Sequence, residues 1–464
     1  MVQLVKVTLI LLACVLAWPA AADEPAPPKV FRCSYATCLE RALQRSPLLA
    51  AAGMSLDLYE AKAKEAQAIA YPRLTATGFA SALPRLKPGR NGDNTFSDYD
   101  FADWGPLLLG ELSVAQPVYT FGKIAALKRL AAQGIEIGKA TRKVAADEMR
   151  YQVAKAYWGL VMVNGMKDMI ADGVKLVDEQ RVKLEKQRDE GDEKFNQADL
   201  FRLQIFQADI DDKVRLTERT RQAALDGLRM AMDDSMDVLV EPLDEEIVPL
   251  EVKLLPMEAY EALALANQPR LIGMRDGTAA KLELVEYAKT QLYPDLAFVA
   301  RVAGTYAPTR STTTDSIASN PNNVANSGAG FALSWNIDIF RNLAKLEQAK
   351  VEYNQQATQE KGEREKTRTE VRQLYREAVD AHEMLKVHEQ AMKSARGWLN
   401  ASSQMYEDGF EEFPEVLRAI EAYTRRRFAF LEAIFNHNLA VAALSRGVGM
   451  DVTAVKKVPA AVPQ

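Results

Sequence analysis

The sequence predicts a mainly α-helical protein with a membrane β-barrel portion. Long α-helical hairpins form an α-barrel, each chain adds four transmembrane β-strands, and the assembly closes as a trimer. Three observations predict this fold class: a helical pattern too long for a compact domain, two structural repeats in one chain, and strand-length segments in which apolar and polar residues alternate. Together they require an assembly rather than one globular core.

The longest uninterrupted helical pattern covers residues 123–189. It contains no proline, its apolar residues recur at helical spacing, and charged residues fill the other faces. A helix of roughly 67 residues is ~100 Å long, whereas ~20 residues already span a small domain. Something other than a compact core therefore has to set its length.

The chain repeats its own pattern. In the first half Pro47 is followed by the helix-terminating Pro72, and in the second half Pro269 is followed at the same spacing by Pro294. The predicted helices are 46–70, 123–189 and 198–232 in the first repeat, and 268–292, 342–408 and 415–447 in the second. A short and a medium helix placed end to end span ~90 Å, close to the long helix, so each repeat packs one long rod beside two stacked shorter ones. Two ordinary coiled-coil hairpins are the alternative.

The predicted organisation follows from these repeats. Residues 1–22 are a signal peptide, and residues 23–229 form the first repeat, which has a strand pair at about 74–119 and a hairpin tip near 191. Residues 230–260 are an equatorial linker. Residues 261–447 form the second repeat, which has a strand pair at about 295–340 and a tip near 409, and residues 448–464 are a C-terminal tail.

The N-terminus has the features of a secretory signal peptide. Lys6 precedes a short apolar run, and an Ala-x-Ala site ends at Ala22. The run is too short to span a bilayer, and no later stretch is predicted to be a transmembrane helix, so the mature chain would enter a membrane as β-strands. Cys14 lies in a segment that resembles a lipoprotein cleavage site, which leaves lipidation open.

The cysteines, histidines and net charge limit the chemistry. Cys33 and Cys38 either form a disulfide in an oxidising compartment or leave Cys38 as a buried thiol. The three histidines are scattered and no CxxC pattern occurs, so neither a metal site nor a cofactor is expected. A formal charge of −5 gives no sign of a nucleic-acid partner.

The clearest strand-like segment is 331–339, in which large apolar residues occupy every odd position. Segments 75–83, 111–119 and 296–306 alternate less regularly, and the polar stretches 84–104 and 307–328 are predicted loops. About 9–11 residues suit a tilted transmembrane strand, although a small soluble sheet would alternate in the same way. The lipid-facing candidates are Phe331, Leu333, Trp335, Ile337 and Ile339.

Four strands cannot close a barrel, because about 8 is the practical minimum. Three copies would supply ~12 strands and ~12 helical rods, so that one ring can continue into the other. The predicted product is a β-pore in the membrane that leads into an α-helical tunnel.

The order and spacing of several motifs resemble the TolC-type outer membrane efflux protein family. These motifs are Tyr71-Pro72-Arg73-Leu74 and Tyr293-Pro294-Asp295-Leu296, the strand-to-helix junctions 112–122 and 333–340, the opening helix 34–47 and the glycine hairpins. The resemblance covers roughly residues 34–450. It implies a homotrimeric channel of the cell outer membrane that extends into the periplasm and exports cargo from a tripartite efflux or type I secretion system. It also implies outer membrane lipid, a periplasmic adaptor and an inner-membrane pump of the RND or ABC type as partners, and a belt formed by 230–260 and the C-terminal tail.

The same resemblance places a periplasmic gate at the hairpin tips. The candidates are Tyr406, Gly409, Glu411, Glu415 and Arg418 in the second repeat, and Gly191 and Gln197 in the first. Glu411 occupies the position of the family's bridging arginine and Arg418 that of an aspartate, so the charges are rearranged. The tip glutamates either face the lumen and favour cations or lie on a solvated surface that contacts an adaptor.

The sequence argues against two other function classes. A periplasmic coiled-coil adaptor typically has one hairpin flanked by β-rich domains, whereas this chain has two hairpins and little other sheet. An enzyme is not indicated, because the sequence has no phosphate loop, no GxSxG motif and no histidines at metal-ligand spacing.

Overall fold

The computed structural model describes residues 30–87, 98–191, 195–234, 238–310 and 323–454, and it is mostly helical. The predicted signal peptide, Cys14 and most of the C-terminal tail lie outside the described residues, as do the middles of the two predicted loops. In chain order the elements are β1 (Val30–Cys33), α1 (Tyr35–Arg45), α2 (Pro47–Ala68), β2 (Arg73–Lys87), β3 (Asp98–Tyr119), α3 (Lys123–Glu190), α4 (Gln197–Met232), β4 (Leu239–Pro242), α5 (Met257–Asn267), α6 (Pro269–Thr290), β5 (Asp295–Tyr306), β6 (Asn323–Ser334), α7 (Ile339–Glu407) and α8 (Phe413–Val448).

The helix lengths are closely matched between the two repeats. The long helices α3 and α7 have 68 and 69 residues. The short helices α2 and α6 have 22 residues each, and the medium helices α4 and α8 have 36 each. Since most of these boundaries lie at or next to a proline, glycine or polar residue, local stop signals largely set the lengths.

The chain divides into two compact units, of which the first contains residues up to 47, 148–254 and 376–444. Its core is a cluster in which apolar side chains of α3, α4 and α8 pack together at helical spacing. The buried members are Ile170, Val177, Leu184, Leu203, Phe206, Ile210, Phe413, Val416, Leu417 and Ile420.

The N-terminal segment is held in this unit by backbone pairing and hydrogen bonds, and a disulfide cross-links it internally. β1 pairs with β4 in parallel, and a disulfide joins the buried Cys33 and Cys38, whose Cα atoms are 5.7 Å apart. The Tyr157 hydroxyl donates to Asp244 over 2.7 Å, and burial together with this hydrogen bond raises the pKa of Tyr157. The sequence left the state of the two cysteines open, and the structure joins them.

A short segment without regular structure is held against α8 by two adjacent polar side chains. The Asn438 side-chain amide donates to the Val248 carbonyl at 2.9 Å, and its oxygen accepts from the Leu250 amide at 2.8 Å. His437 Nε2 lies 3.1 Å from the Leu250 carbonyl. Asn438 and His437 are almost completely buried. We call these contacts of the two side chains with residues 248–250 the His437–Asn438 clamp.

The clamp predicts a dependence of stability on pH. Burial lowers the pKa of His437 below its ordinary value of 6.5, and the nearby His382 lowers it further, against the opposing hydrogen bond to Leu250. Below about pH 6.5 His437 therefore binds a proton more readily in the unfolded chain than in the folded one. The free energy of unfolding consequently falls as the pH drops below about 6.5, and it keeps its full value above that pH. We expect the thermal unfolding midpoint in detergent to be lower at about pH 5.5 than at about pH 7.5.

The matched variant is His437→Gln, which keeps a donor for the Leu250 carbonyl but cannot titrate. Its midpoint should change less over the same pH range than that of the unmodified chain, while His382→Gln should retain most of the dependence. Equal pH profiles for His437→Gln and the unmodified chain would contradict the assignment.

The second unit contains residues 48–147, 255–375 and those after 444, and it carries a four-stranded sheet. The strand order is β2-β3-β5-β6, and all three pairs are antiparallel. β3 and β5 come from different repeats, so their pairing joins the two strand pairs into one sheet.

The strand bounds differ from those predicted. β3 begins at Asp98 rather than near 111, and β6 begins at Asn323, so the predicted loops are shorter. β6 ends at Ser334, so the prediction of one strand over 331–339 is wrong beyond that residue. Trp335 and Ile337 lie in the connection, and Ile339 is the first residue of α7. The Trp335 indole donates to the Leu292 carbonyl at 3.2 Å, outside the sheet. The apolar alternation thus continues past the point where the strand ends.

One helix among the described residues, α8, is long and apolar enough by length and composition to cross a membrane. The prediction that no such stretch follows residue 22 is therefore wrong. Most charged residues of α8 precede Phe428, which leaves an apolar C-terminal half. That half contains the buried His437 and Asn438, and the His437 Nε2 atom and the Asn438 side-chain amide contact protein backbone.

Candidate functional site

The four-stranded sheet has one markedly apolar face. The register pairs Leu112 with Val302 and Phe298 with Phe331, and partners across a ladder share a face. The Phe298 and Phe331 rings meet edge to face with centroids 5.7 Å apart. The large side chains of this face include Leu74, Leu108, Leu112, Val114, Leu296, Phe298, Val302, Tyr306, Phe331 and Leu333.

Much of this apolar face is exposed. Phe331 is 73% exposed, Leu74 68% and Leu333 65%. A contiguous patch of this kind is unfavourable in water and marks a surface that contacts lipid or another protein. Two of the five predicted lipid-facing residues, Phe331 and Leu333, lie on it, whereas Trp335, Ile337 and Ile339 follow the end of β6.

The opposite face carries most of the hydroxyl, amide and charged groups of the sheet. The Arg301 guanidinium donates to the Glu111 carboxylate at 2.8 Å, across the β3–β5 ladder. Phe79 and Leu109 also lie on this face, near the loop end of the sheet. The neutral polar residues of the face are Thr75, Thr77, Ser81, Ser113, Thr305, Asn326 and Ser334.

The two outer strands leave the sheet open. β2 and β6 end the strand order, and each pairs with a neighbour on one side only in the part of the chain that the structure describes. An unpaired edge of 12 or 15 residues is a template for another strand. The sheet is therefore suited to edge-to-edge pairing with further copies.

Aromatic side chains mark the end of the sheet where it meets the helices, a feature that the sequence reasoning missed. Phe121 stacks on Tyr293 with ring centroids 5.3 Å apart, and Tyr119 meets Phe121 edge to face at 4.7 Å. Phe121 has a positive φ of 48°, a strained conformation for a bulky residue, and Gly122 follows with φ 91°. The Tyr-Pro motifs and the Tyr-Thr-Phe-Gly junction were the available signal, because aromatic belts mark membrane interfaces.

The second hairpin tip is built around Gly409. Its φ of 78° is one that glycine adopts without strain, and its amide donates to the Tyr406 carbonyl at 3.1 Å. The Phe410 amide donates to the Met405 carbonyl at 2.8 Å, which closes the end of α7. The Tyr406 ring lies edge to face with Phe413, 6.2 Å between centroids.

The charged gate candidates of this tip are engaged locally. Arg418 forms an ion pair with Glu415 at 3.2 Å, within one turn of α8. Arg418 Nε also donates to the Pro414 carbonyl at 3.4 Å. One carboxylate oxygen of Glu411 is buried and has no hydrogen-bond partner among the described residues. Glu411 is thus the tip side chain that has an unused hydrogen-bond acceptor in a single chain.

The first hairpin tip is partly described. Gly191 has a φ of 69° and directly follows the last residue of α3, and residues 192–194 lie outside the described part. Gln197 is the exposed first residue of α4, and the Asn196 side chain caps that helix by accepting from the Ala198 amide at 3.0 Å. Across all described residues, no group of three or more histidine, cysteine or acidic side chains is placed to hold a metal ion.

Comparison with known families identifies the second repeat. Residues 262–449 match the family model described as outer membrane efflux protein, and over this second repeat the match confirms the resemblance drawn from the sequence. No curated protein matches the chain.

Solved structures extend the similarity to nearly the whole chain. CusC, described as forming a transmembrane channel, has a TM-score of 0.73 at 14% identity, over 93% of this chain and 99% of that one. The outer membrane protein VceC of Vibrio cholerae has a TM-score of 0.70 at 19% identity, over 90% and 96%. The open MtrE outer membrane channel of Neisseria gonorrhoeae has a TM-score of 0.69 at 14% identity, over 90% and 89%. The chain therefore has the fold of these outer membrane proteins.

Proposed function

We propose, from the premise that residues 262–449 form an outer membrane efflux protein domain, that this chain is an export channel of the cell outer membrane. The channel is a homotrimer that conducts substrates of a tripartite efflux or type I secretion system across the periplasm and the outer membrane. The observation that carries this proposal is the exposed apolar face of a sheet with two open edges.

The sheet supports a trimeric barrel for geometric reasons. Four strands are too few to close, since about 8 are needed, and three copies supply ~12. Pairing β2 of each copy with β6 of the next satisfies both open edges at once. The apolar face then contacts outer membrane lipid, and the polar face lines a water-filled pore.

The helices support the periplasmic part of the proposal. Helices of 68 and 69 residues are ~100 Å long, a length that a compact core does not explain but a passage through the periplasm does. In this arrangement the tips at Gly191 and Gly409 meet a periplasmic adaptor, which connects the channel to an inner-membrane pump of the RND or ABC type. The alternative, a coiled-coil adaptor, leaves the exposed apolar face unexplained.

Reconstitution tests the proposal. The purified chain should require detergent for extraction, have the mass of a trimer after correction for bound detergent, and conduct ions in planar bilayers. A chain that is monomeric and soluble without detergent, and that produces no conductance, would overturn it.

The tip glutamates give a further prediction for the assembled channel. Glu415→Ala should lower the preference for cations, because three carboxylates near one axis attract cations and the change also frees Arg418 from its ion pair. The reversal potential across a KCl gradient in planar bilayers measures this preference. Arg418→Ala should shift it in the opposite direction. Unchanged selectivity in both variants would assign Glu415 to the solvated surface that contacts an adaptor.

A further inference from the structure

The middle of the sheet contains a single charged pair. Glu111 of β3 and Arg301 of β5 are joined at 2.8 Å, and their side chains are 36% and 58% exposed. The register pairs Glu111 with Ala303 and Ser113 with Arg301, so the two side chains lie diagonally across the ladder on the polar face. Leu112 and Val302, their neighbours in sequence, lie on the apolar face.

Other charged residues of the described strands lie near the ends of the sheet. Arg73 and Asp295 are the first residues of β2 and β5, where the strands meet the helices. At the loop end Arg85 pairs with Asp103 at 2.6 Å. β6 has no charged residue between Asn323 and Ser334. The Glu111–Arg301 pair is therefore the only charged feature of the described strands that lies away from both ends.

We propose, on the basis of the function proposed above, that the Glu111–Arg301 pair sets the ion selectivity of the β-pore by keeping the middle of the pore nearly neutral. Each chain presents one acid and one base in contact to the lumen, and their fields cancel at distances much larger than their separation. Three such pairs leave the middle of the pore nearly neutral, so the β-pore passes solutes of either charge. A pair exposed to water contributes little to stability, so packing alone gives little reason for two charges on this strand pair.

The pair also explains how the pore would respond to single changes. Removing the acid leaves three unpaired guanidinium groups around one axis, and removing the base leaves three unpaired carboxylates. Charges that line a narrow passage with walls of low dielectric constant concentrate ions of opposite sign. Each single change therefore converts a neutral segment of the pore into a charged one.

The test is selectivity in planar bilayers. Across a KCl gradient, the reversal potential of Glu111→Gln should shift toward the chloride equilibrium potential, and that of Arg301→Gln toward the potassium equilibrium potential. The double variant should return to the value of the unmodified channel. Ser113→Ala, which changes a neutral neighbour on the same face, is the matched control and should leave the reversal potential unchanged.

The outcomes separate this inference from the proposed function. Absence of conductance from the unmodified chain would overturn the proposed function, whereas conducting variants with equal reversal potentials would overturn the role of the pair alone. If a glutamine variant does not assemble, thiol labelling of assembled Glu111→Cys and Leu112→Cys channels decides. A membrane-impermeant methanethiosulfonate should modify Glu111→Cys and not Leu112→Cys, and the reverse pattern would overturn the inference.

Discussion

Replacing Phe331 with lysine should abolish assembly of the proposed trimer in the outer membrane. Phe331 lies on the apolar face of the sheet, beside Phe298, and is 73% exposed in the single chain. A lysine that faces lipid costs about 2–4 kcal/mol at the middle of the bilayer and less toward the interfaces, and every copy in the proposed trimer incurs the cost set by its depth. The yield of detergent-extracted trimer from the outer membrane fraction measures the effect.

The adjacent Ala332 provides the control. It pairs with Ala297 on the opposite face, so the same lysine would project into water in Ala332→Lys. Trimer yield close to that of the unmodified chain is expected for Ala332→Lys, and a large loss for Phe331→Lys. Equal yields from the two variants, or a loss confined to Ala332→Lys, would show that the apolar face does not contact lipid.

The helical part of the fold was largely predictable from the sequence, because its signals are local. The predicted helix 123–189 corresponds to Lys123–Glu190, and 198–232 to Gln197–Met232. Proline and glycine stops, helical spacing of apolar residues and polar caps each act within a few residues of the boundary. The glycine turns at 191 and 409 were located for the same reason, and both have a positive φ.

The strands were less predictable, because their extent depends on which segments pair. The N-terminal half of β3 includes Trp104-Gly-Pro-Leu-Leu-Leu109, which has no alternation, yet it pairs with β2 through its backbone. Conversely, the alternation over 335–339 continues after the sheet has ended at Ser334. Face assignment needed the register itself, since Glu111 and Arg301 are distant in sequence and only the ladder brings them together.

The tip and the clamp show two further limits. The residue types of the gate candidates are evident in the sequence, but which of them face a common axis depends on the proposed trimer rather than on one chain. The clamp was not predicted, although Asn436, His437 and Asn438 interrupt a largely apolar stretch of α8. Adjacent polar residues within such a stretch indicate buried groups that bind another segment's backbone.

Replacing Asn438 with alanine should destabilise the first unit strongly. The change leaves the Leu250 amide and the Val248 carbonyl without the partners that they have at 2.8 and 2.9 Å. An unsatisfied buried polar group costs about 1–3 kcal/mol, so two of them predict a loss of about 2–4 kcal/mol when water replaces part of the interaction. The free energy of unfolding in detergent and the rate of limited proteolysis within 245–253 measure the loss.

The exposed Asn436, two residues earlier on the same helix, is the matched control. Asn436→Ala removes the same atoms from a solvated position, so its effect should stay within about 0.5 kcal/mol. If Asn438 acts only by filling space, Asn438→Leu would restore stability, because leucine has a similar shape. If it acts through its two hydrogen bonds, Asn438→Leu should be as unstable as Asn438→Ala, and the segment 248–250 should become sensitive to protease in both variants. Protease resistance in both would show that other contacts hold the segment and that the clamp is not required.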